Sequence, residues 1–154
     1  LDIGVVYGFE KFGLDHSIDF NATYLSEYET VAFEGDNPTM IAGYIGGGNG
    51  GYPEWRAISS WTTTSSKWSG TYSVQMIGDD FYATSGPGSH IPAQFYHNAQ
   101  FSYDVTEAFR VTAGVDNIFQ NDPPFVASWT DGNTDTMTYD LLGRRGYIRL
   151  SYRK

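Results

Sequence analysis

The residues able to do chemistry are few and scattered. His16, His90 and His97 lie far apart, with no H-x-x-x-H or comparable spacing, so they do not read as a metal site. His97 falls on the apolar side of an alternating segment, where an interfacial position is the simpler reading. The string DGNTD, residues 131 to 135, offers oxygen ligands of the kind that hold Ca²⁺, but lacks the full EF-hand pattern and its closing Glu. Asp36, Asp79 and Asp80 occupy other loop-like stretches and read as a solvated acidic surface or as carboxylates that gather divalent ions. No nucleophile elbow accompanies the Ser, His and Asp residues. No catalytic residue is therefore assigned, and the chain does not read as an enzyme. GGGNGG, residues 46 to 51, satisfies G-x-G-x-x-G, yet Tyr52, Pro53, Glu54 and a strand follow where a dinucleotide site needs a helix. That string reads as a loop, and no cofactor is implied. What remains is aromatic. Tyr44, Tyr52, Phe81, Tyr82 and Trp129 lie in loop-like stretches and are candidates for ligand contact, since rings stack on sugar faces and flat ligands alike.

Composition limits the partners. The 154 residues make one ordinary domain, with 18 acidic against 9 basic side chains and a formal charge of −9. Nucleic acid demands a basic patch, so it is not expected as a partner. Cysteine is absent, which removes disulfides and thiolate metal sites. No run approaches the 18 or more apolar residues of a membrane helix. Leu1 opens directly on a patterned segment, without an initiator Met or a signal peptide, which suggests a cut or processing site. Aromatic residues are 17% of the chain, beside 18 Gly, although mean hydropathy is −0.37. Rings in such numbers suit places where one end of a side chain is dry and the other wet, a membrane interface among them.

The elements that must position these residues show a period of 2. Alternation recurs seven times: Ile3 to Phe9, Ser17 to Thr30, Trp55 to Thr62, Trp68 to Met76, Gln94 to Val105, Phe109 to Asp116 and Gly146 to Arg153. Each reads as a strand dry on one face and wet on the other. Phe20, Tyr24, Tyr72, Val74, Phe101, Ile148 and Leu150 should share the dry face. Asp19, Asn21, Glu27, Glu29, Gln75, Asn98, Arg110 and Arg149 should line the wet one. The links alternate in length. Short ones fall at Glu10 to Asp15, at Ser65 to Lys67 and at Thr106 to Ala108; long ones run roughly from 34 to 54, 78 to 92 and 119 to 143. In a meander, alternate links lie at one end of the sheet, so all the long ones share an end. The expected fold class is all-β: an antiparallel up-and-down meander of about seven strands, part of a larger transmembrane β-barrel. A soluble secreted β-sandwich that binds glycans with the same aromatics is the alternative, and a small barrel assembled from several copies is a third.

Two stretches carry a family resemblance. GVDNIFQNDPPF, residues 114 to 125, resembles the late-barrel motif of TonB-dependent outer-membrane receptors, an Asn-hydrophobic-Phe box followed by an acidic Pro-Pro. YDLLGRRGYIRLSYR, residues 139 to 153, resembles that family's final strand and the Tyr-Asp-x-x-Gly-Arg element before it. The motif residues are Asn117, Phe119, Asp122, Pro123, Pro124, Tyr139, Asp140, Gly143 and Arg144. Each also has a plain reading. Pro123 and Pro124 end a strand in any fold, Asn117 satisfies a turn backbone, and Asp140 to Arg145 forms a turn with a solvated face.

The resemblance implies that residues 1–154 are the C-terminal portion of a receptor barrel whose plug and earlier strands are absent. The function implied is active uptake of a scarce nutrient such as a siderophore, cobalamin or oligosaccharide at the bacterial outer membrane. Implied partners are outer-membrane lipid and lipopolysaccharide, the small ligand, TonB acting through the missing N-terminal region, and the barrel-assembly machinery. Gly146, Ile148, Leu150 and Tyr152 would form the closing-strand assembly signal. Lys154 stands in the lipid-facing register where the family has Phe, and near an interface a lysine can snorkel.

Overall fold

Phe12 and Gly13 are all the chain needs to reverse direction after its first strand. Both take positive φ, 56° and 70°, the geometry of a two-residue turn whose twist matches the strands it joins. The computed structural model describes residues 1–45, 50–82, 89–126 and 132–153, with Tyr82 described in its backbone alone. Trp129, Lys154, Asp131 and most of the Gly-rich string therefore lie outside the described residues. The strands, in chain order, are β1 (Asp2–Lys11), β2 (Leu14–Tyr24), β3 (Glu29–Thr30), β4 (Thr39–Met40), β5 (Tyr44–Ile45), β6 (Trp55–Thr64), β7 (Trp68–Ile77), β8 (Asp80–Tyr82), β9 (His90–Ile91), β10 (Gln94–Asp104), β11 (Phe109–Asp116) and β12 (Arg145–Tyr152).

The seven long strands form one sheet in the order β1-β2-β6-β7-β10-β11-β12, and every neighbouring pair is antiparallel. Apart from the short excursions in the long links, spatial order follows chain order. The expected meander is what forms, and it is a single layer. No second sheet faces the apolar side; the remaining described strands make only a two-stranded and a three-stranded sheet. Ile148, Leu150 and Tyr152 stay 65–75% exposed on that side. A sandwich would have covered them.

The register settles which side chains share a face. Directly paired residues point the same way, and the chain of pairs runs Val5, Phe20, Ser59, Val74, His97 across five strands. Phe101 pairs with Ala113, which pairs with Ile148. Phe20, Tyr24, Tyr72, Val74, Phe101, Ile148 and Leu150 thus lie on one continuous face, as expected. Gln75 belongs to the other face with Asn21, Ile58 and Tyr96.

Strand two is shorter than its alternation suggests. Its ladder stops at Tyr24, with one further bond from the Leu25 N–H to the Glu54 carbonyl. The partner strand is preceded by Pro53, which has no N–H to continue the pairing. The chain then leaves the sheet, and Glu29 pairs with Met40 in a separate small hairpin. Glu27 and Glu29 therefore do not line the wet face, and Tyr28 is not on the dry one. Their alternation is real but has no neighbour to register against.

The packed interior sits where the periodicity does not point. Ile45, Ile77, Ile91, Tyr96, Val126 and Tyr139 are buried together. Ile77 and Tyr96 come from the wet face of β7 and β10, and the other four come from the long links. Ile45, Ile91, Val126 and Tyr139 thus bring described parts of all three links together over the wet face at their end of the sheet, as a cap. Link one joins link two through the parallel pair β5·β8, and link three joins link one through a bond from the Gly51 N–H to Thr138 Oγ1 at 2.8 Å.

Candidate functional site

The cap is built on a small sheet whose two faces differ. Within β5-β8-β9, Tyr44 pairs with Phe81, and Phe81 with His90. These three side chains face outward, their rings 6.3 Å and 5.0 Å apart. Asp79 stands beside them with its carboxylate 3.4 Å from His90 Nε2. Tyr52 is held to this group by its backbone, which bonds Gly43 and Tyr44, but its ring packs edge-on against Tyr28 at 5.0 Å. Of the five aromatic candidates, Tyr44 and Phe81 meet directly and Tyr52 lies next to them. The side chains of Tyr82 and Trp129 lie outside the described residues. His90 is an addition that the sequence offers only as an isolated histidine. Two rings and an imidazole at an exposed edge can stack on a flat or ring-bearing ligand.

The inner face of the same sheet carries Ile45, Ile91 and, between them, a carboxylate. Asp80 is fully buried, and neither of its oxygens has a hydrogen-bond partner. Burial pushes its carboxyl up to about 7; Arg56 pulls it down, while Asp135, Asp79 and Glu54 push it further up. Tyr139 is buried beside it, and burial, with the charges of Asp80 and Asp135, holds its phenol well above the usual tyrosine range.

The motif residues divide into two groups. Asn117 is the pivot after β11. It adopts φ 50°, its N–H bonds Asn98 Oδ1 at 2.9 Å, and its side chain both donates to and accepts from the Asn121 backbone. Its plain reading, a side chain satisfying a turn, is what it does. Pro124 follows in the cap, its carbonyl accepting from Thr134 Oγ1 at 2.8 Å. Asp140 accepts from the Leu142 N–H and from Arg145 Nη1, both at 3.0 Å, and Gly143 supplies a positive φ of 66°. Arg145 also approaches Asp116 at 4.0 Å. The guanidinium that ties the last link to β12 is therefore Arg145, while Arg144 of the motif is exposed. Phe119 and Asp122 are exposed too, the Phe119 ring packing edge-on against His97 at 4.9 Å on the apolar face.

Below the cap the wet face is knitted by its own polar groups. Thr62 bonds Thr71 at 2.9 Å, Ser102 bonds Thr112 at 2.8 Å, and Arg110 grips Asp104 with two bonds of 2.6 and 2.7 Å. Tyr147 lies flat over Gly114, its directly paired neighbour, and donates to Gln100 at 2.9 Å. A Cβ at Gly114 would collide with that ring. Asp19, Asn21, Gln75, Asn98, Arg110 and Arg149 all lie on this face. Toward the short turns it forms an open concavity of about 890 Å³, rimmed by Lys67, Glu107, Arg149 and Arg153. Under the cap it forms a smaller one of about 310 Å³, lined by Gln75, Tyr96, Asn98, Asp116, Thr138 and Arg145. Ions and small polar ligands could lie on such a surface; bond chemistry finds no assembled acid, base and nucleophile among the described residues.

No family model matches the chain, and no curated protein matches it. Among solved structures it is similar to a mutant of the ferric enterobactin receptor PfeA from Pseudomonas aeruginosa, with a TM-score of 0.59 and 16% identity. The similarity covers 96% of this chain and 21% of that one, so the chain spans about a fifth of the length of the receptor it matches. At that identity the likeness is one of fold. The all-β, seven-stranded antiparallel meander is an arrangement that the chain shares with a stretch of that receptor.

Proposed function

We propose that the chain is the C-terminal wall of a TonB-dependent receptor barrel in the bacterial outer membrane, with a plug and the earlier strands supplied by the rest of a longer protein. The whole protein would take up a scarce nutrient, such as a siderophore, cobalamin or oligosaccharide, with energy relayed through TonB. The observation that carries this reading is the single-layered sheet, dry on one face across all seven strands, with described parts of every long link packed at one end. Water does not favour such a face, and lipid does. Polar atoms on that side pair within it at two places: Tyr72 OH with His97 Nδ1 at 2.6 Å, and His16 Nδ1 with Thr63 Oγ1 at 3.0 Å. The two motif resemblances, in order at the C-terminal end, and the fold likeness to a receptor support the family. Tyr44, Phe81 and His90 are then first contacts for ligand, outside the membrane-spanning wall.

The experiment is uptake by cells that express the full-length protein, with and without TonB, over a panel of ferric siderophores, cobalamin and oligosaccharides. One ligand is expected to accumulate only when TonB is present, and less so in a Tyr44→Ala, Phe81→Ala double variant of normal abundance. Accumulation that is indifferent to TonB for every ligand would remove the transport reading.

A further inference from the structure

The buried oxygen cluster under the cap is unexplained by ligand contact or by wall building. Five side-chain oxygens there are buried without a hydrogen-bond partner: both of Asp80, Oδ2 of Asp135, and the hydroxyls of Tyr96 and Tyr139. Their residues are at most 5% exposed. Buried polar atoms are almost always paired, so five in one place need a cause. Among the described residues no ion pair reaches Asp80 or Asp135. Arg56, the cation whose charge Asp80 feels, bonds the Gly51 carbonyl at 3.3 Å instead.

The chain brings these atoms together from three directions. Residues 135 to 139 form a helical turn in which the Tyr139 N–H bonds the Asp135 carbonyl at 3.2 Å. The spacing i, i+3, i+4 puts Asp135, Thr138 and Tyr139 on one side of that turn. Asp135 Oδ1 caps the Met137 N–H at 3.0 Å, which leaves Oδ2 free to turn inward. Opposite stands Asp80: a Cβ on Gly51 would lie 2.8 Å from Ile45 Cγ1, 2.9 Å from Asp80 Oδ2 and 3.0 Å from Thr138 Oγ1, so both oxygens pack against the same glycine. Tyr96, from the wet face of β10, belongs to the same buried cluster as Tyr139. Any side chain at position 51 would collide with these neighbours.

We propose that Asp80, Asp135, Thr138 and Tyr139, with Tyr96 beneath them, hold a divalent cation of the Ca²⁺ class that locks the three long links into one cap. Two carboxylates supply two negative charges, matched to one divalent ion. Their companions are neutral hydroxyls, hard ligands without nitrogen or sulfur. Among the described residues no three His, Cys, Asp or Glu side chains converge, so the two carboxylates would have to share the ion with hydroxyls and water. Asp135 closes the DGNTD string that offers Ca²⁺-type ligands in the sequence; its structural partner is Asp80, not a downstream Glu. The inference stands independently of the transport reading.

Terbium is the probe, because it replaces Ca²⁺ and emits when a neighbouring tyrosine is excited. The full-length protein, folded in detergent micelles and stripped with chelator, is titrated with Tb³⁺ at neutral pH and then with Ca²⁺. Sensitised emission that Ca²⁺ reverses is expected, reduced at least tenfold by Asp80→Asn and about halved by Tyr139→Phe. Chelator should also open residues 132–143 to protease in the wild type. Should Asp80→Asn fail to fold, the Tyr139→Phe variant and the protease result decide. Emission that Ca²⁺ does not reverse, emission unchanged by the substitutions, or protease resistance indifferent to chelator would overturn the site and leave a shared proton or a water in its place.

Discussion

Asp80 shows how much one residue can depend on its surroundings. As a free carboxyl it would titrate near 4. Buried between Ile45 and Ile91 it is pushed up to about 7, against the pull of Arg56 and with the help of Asp135, Asp79 and Glu54. The sign follows from linkage. An acid whose folded pKa is raised binds more protons folded than unfolded, so its contribution is fully present below about pH 4 and is lost as pH rises through 7. A shift of this size is worth on the order of 4 kcal/mol at most, and relaxation of the cap reduces it. With divalent ions chelated, protease cleavage within the cap should therefore rise between about pH 4 and 7 and level off above. Asp80→Asn, uncharged throughout, should flatten that profile. A profile identical in the two proteins would mean that the carboxylate is not confined as described. Added Ca²⁺ should flatten the wild-type profile as well, because a bound cation replaces the proton.

At the scale of elements, β12 is the strand on which facing can be tested most cleanly. Leu150 pairs with Val111 on the apolar face, and Ser151 pairs with Arg110 on the wet one. They are neighbours in sequence and differ chiefly in that respect. An arginine facing lipid costs roughly 2 to 4 kcal/mol near the bilayer midplane and about 0 to 1 near its interfaces. Leu150 stands near the short-turn end of the sheet, so an intermediate penalty is expected. Leu150→Arg in the full-length protein should lower the heat-modifiable folded fraction in outer membranes well below that of Ser151→Arg. Equal losses, or a worse defect at Ser151, would refute the assignment. Facing was legible in the sequence because a period of 2 survives every substitution of one apolar residue for another, and all seven strands were found by it. The cap was not legible. Its sheet joins Tyr44 to Phe81 and Phe81 to His90 through strands of two or three residues, too short to show a period. Arg145 rather than Arg144 holds Asp140, a choice made by the direction in which β12 enters the sheet. Asp80 and Asp135 are 55 positions apart, and only the folding of two links over one face brings them near. Strand two misled for the opposite reason: its alternation continued to Thr30 after Pro53 had ended its partner.

For the whole molecule, the decisive features are its edges and its uncovered face. In the sheet order, β1 and β12 are the outermost strands, and each has one side without a neighbour. Along β1, ten residues long, and β12, eight, alternate residues thus present free N–H and C=O groups on an exposed border. Such borders template pairing with other chains, and a closed barrel is the arrangement that removes them. Between them lies a face with Val5, Tyr7, Trp61, Phe101, Ile148 and Leu150 all exposed. Neither feature suits water, and the open borders do not suit lipid either. Residues 1–154 expressed alone should consequently aggregate in buffer and be recovered only in detergent or after refolding. Size-exclusion chromatography with light scattering distinguishes the outcomes. Heterogeneous, detergent-dependent species are the outcome expected from the proposal that the neighbours of β1 and β12 come from elsewhere in a longer chain. A discrete detergent-bound oligomer would instead show that copies of this chain close the barrel together, each β12 on the next β1. A monodisperse monomer in plain buffer with sharp thermal unfolding would show that the apolar face is covered in solution, and the membrane-wall reading would fall with it.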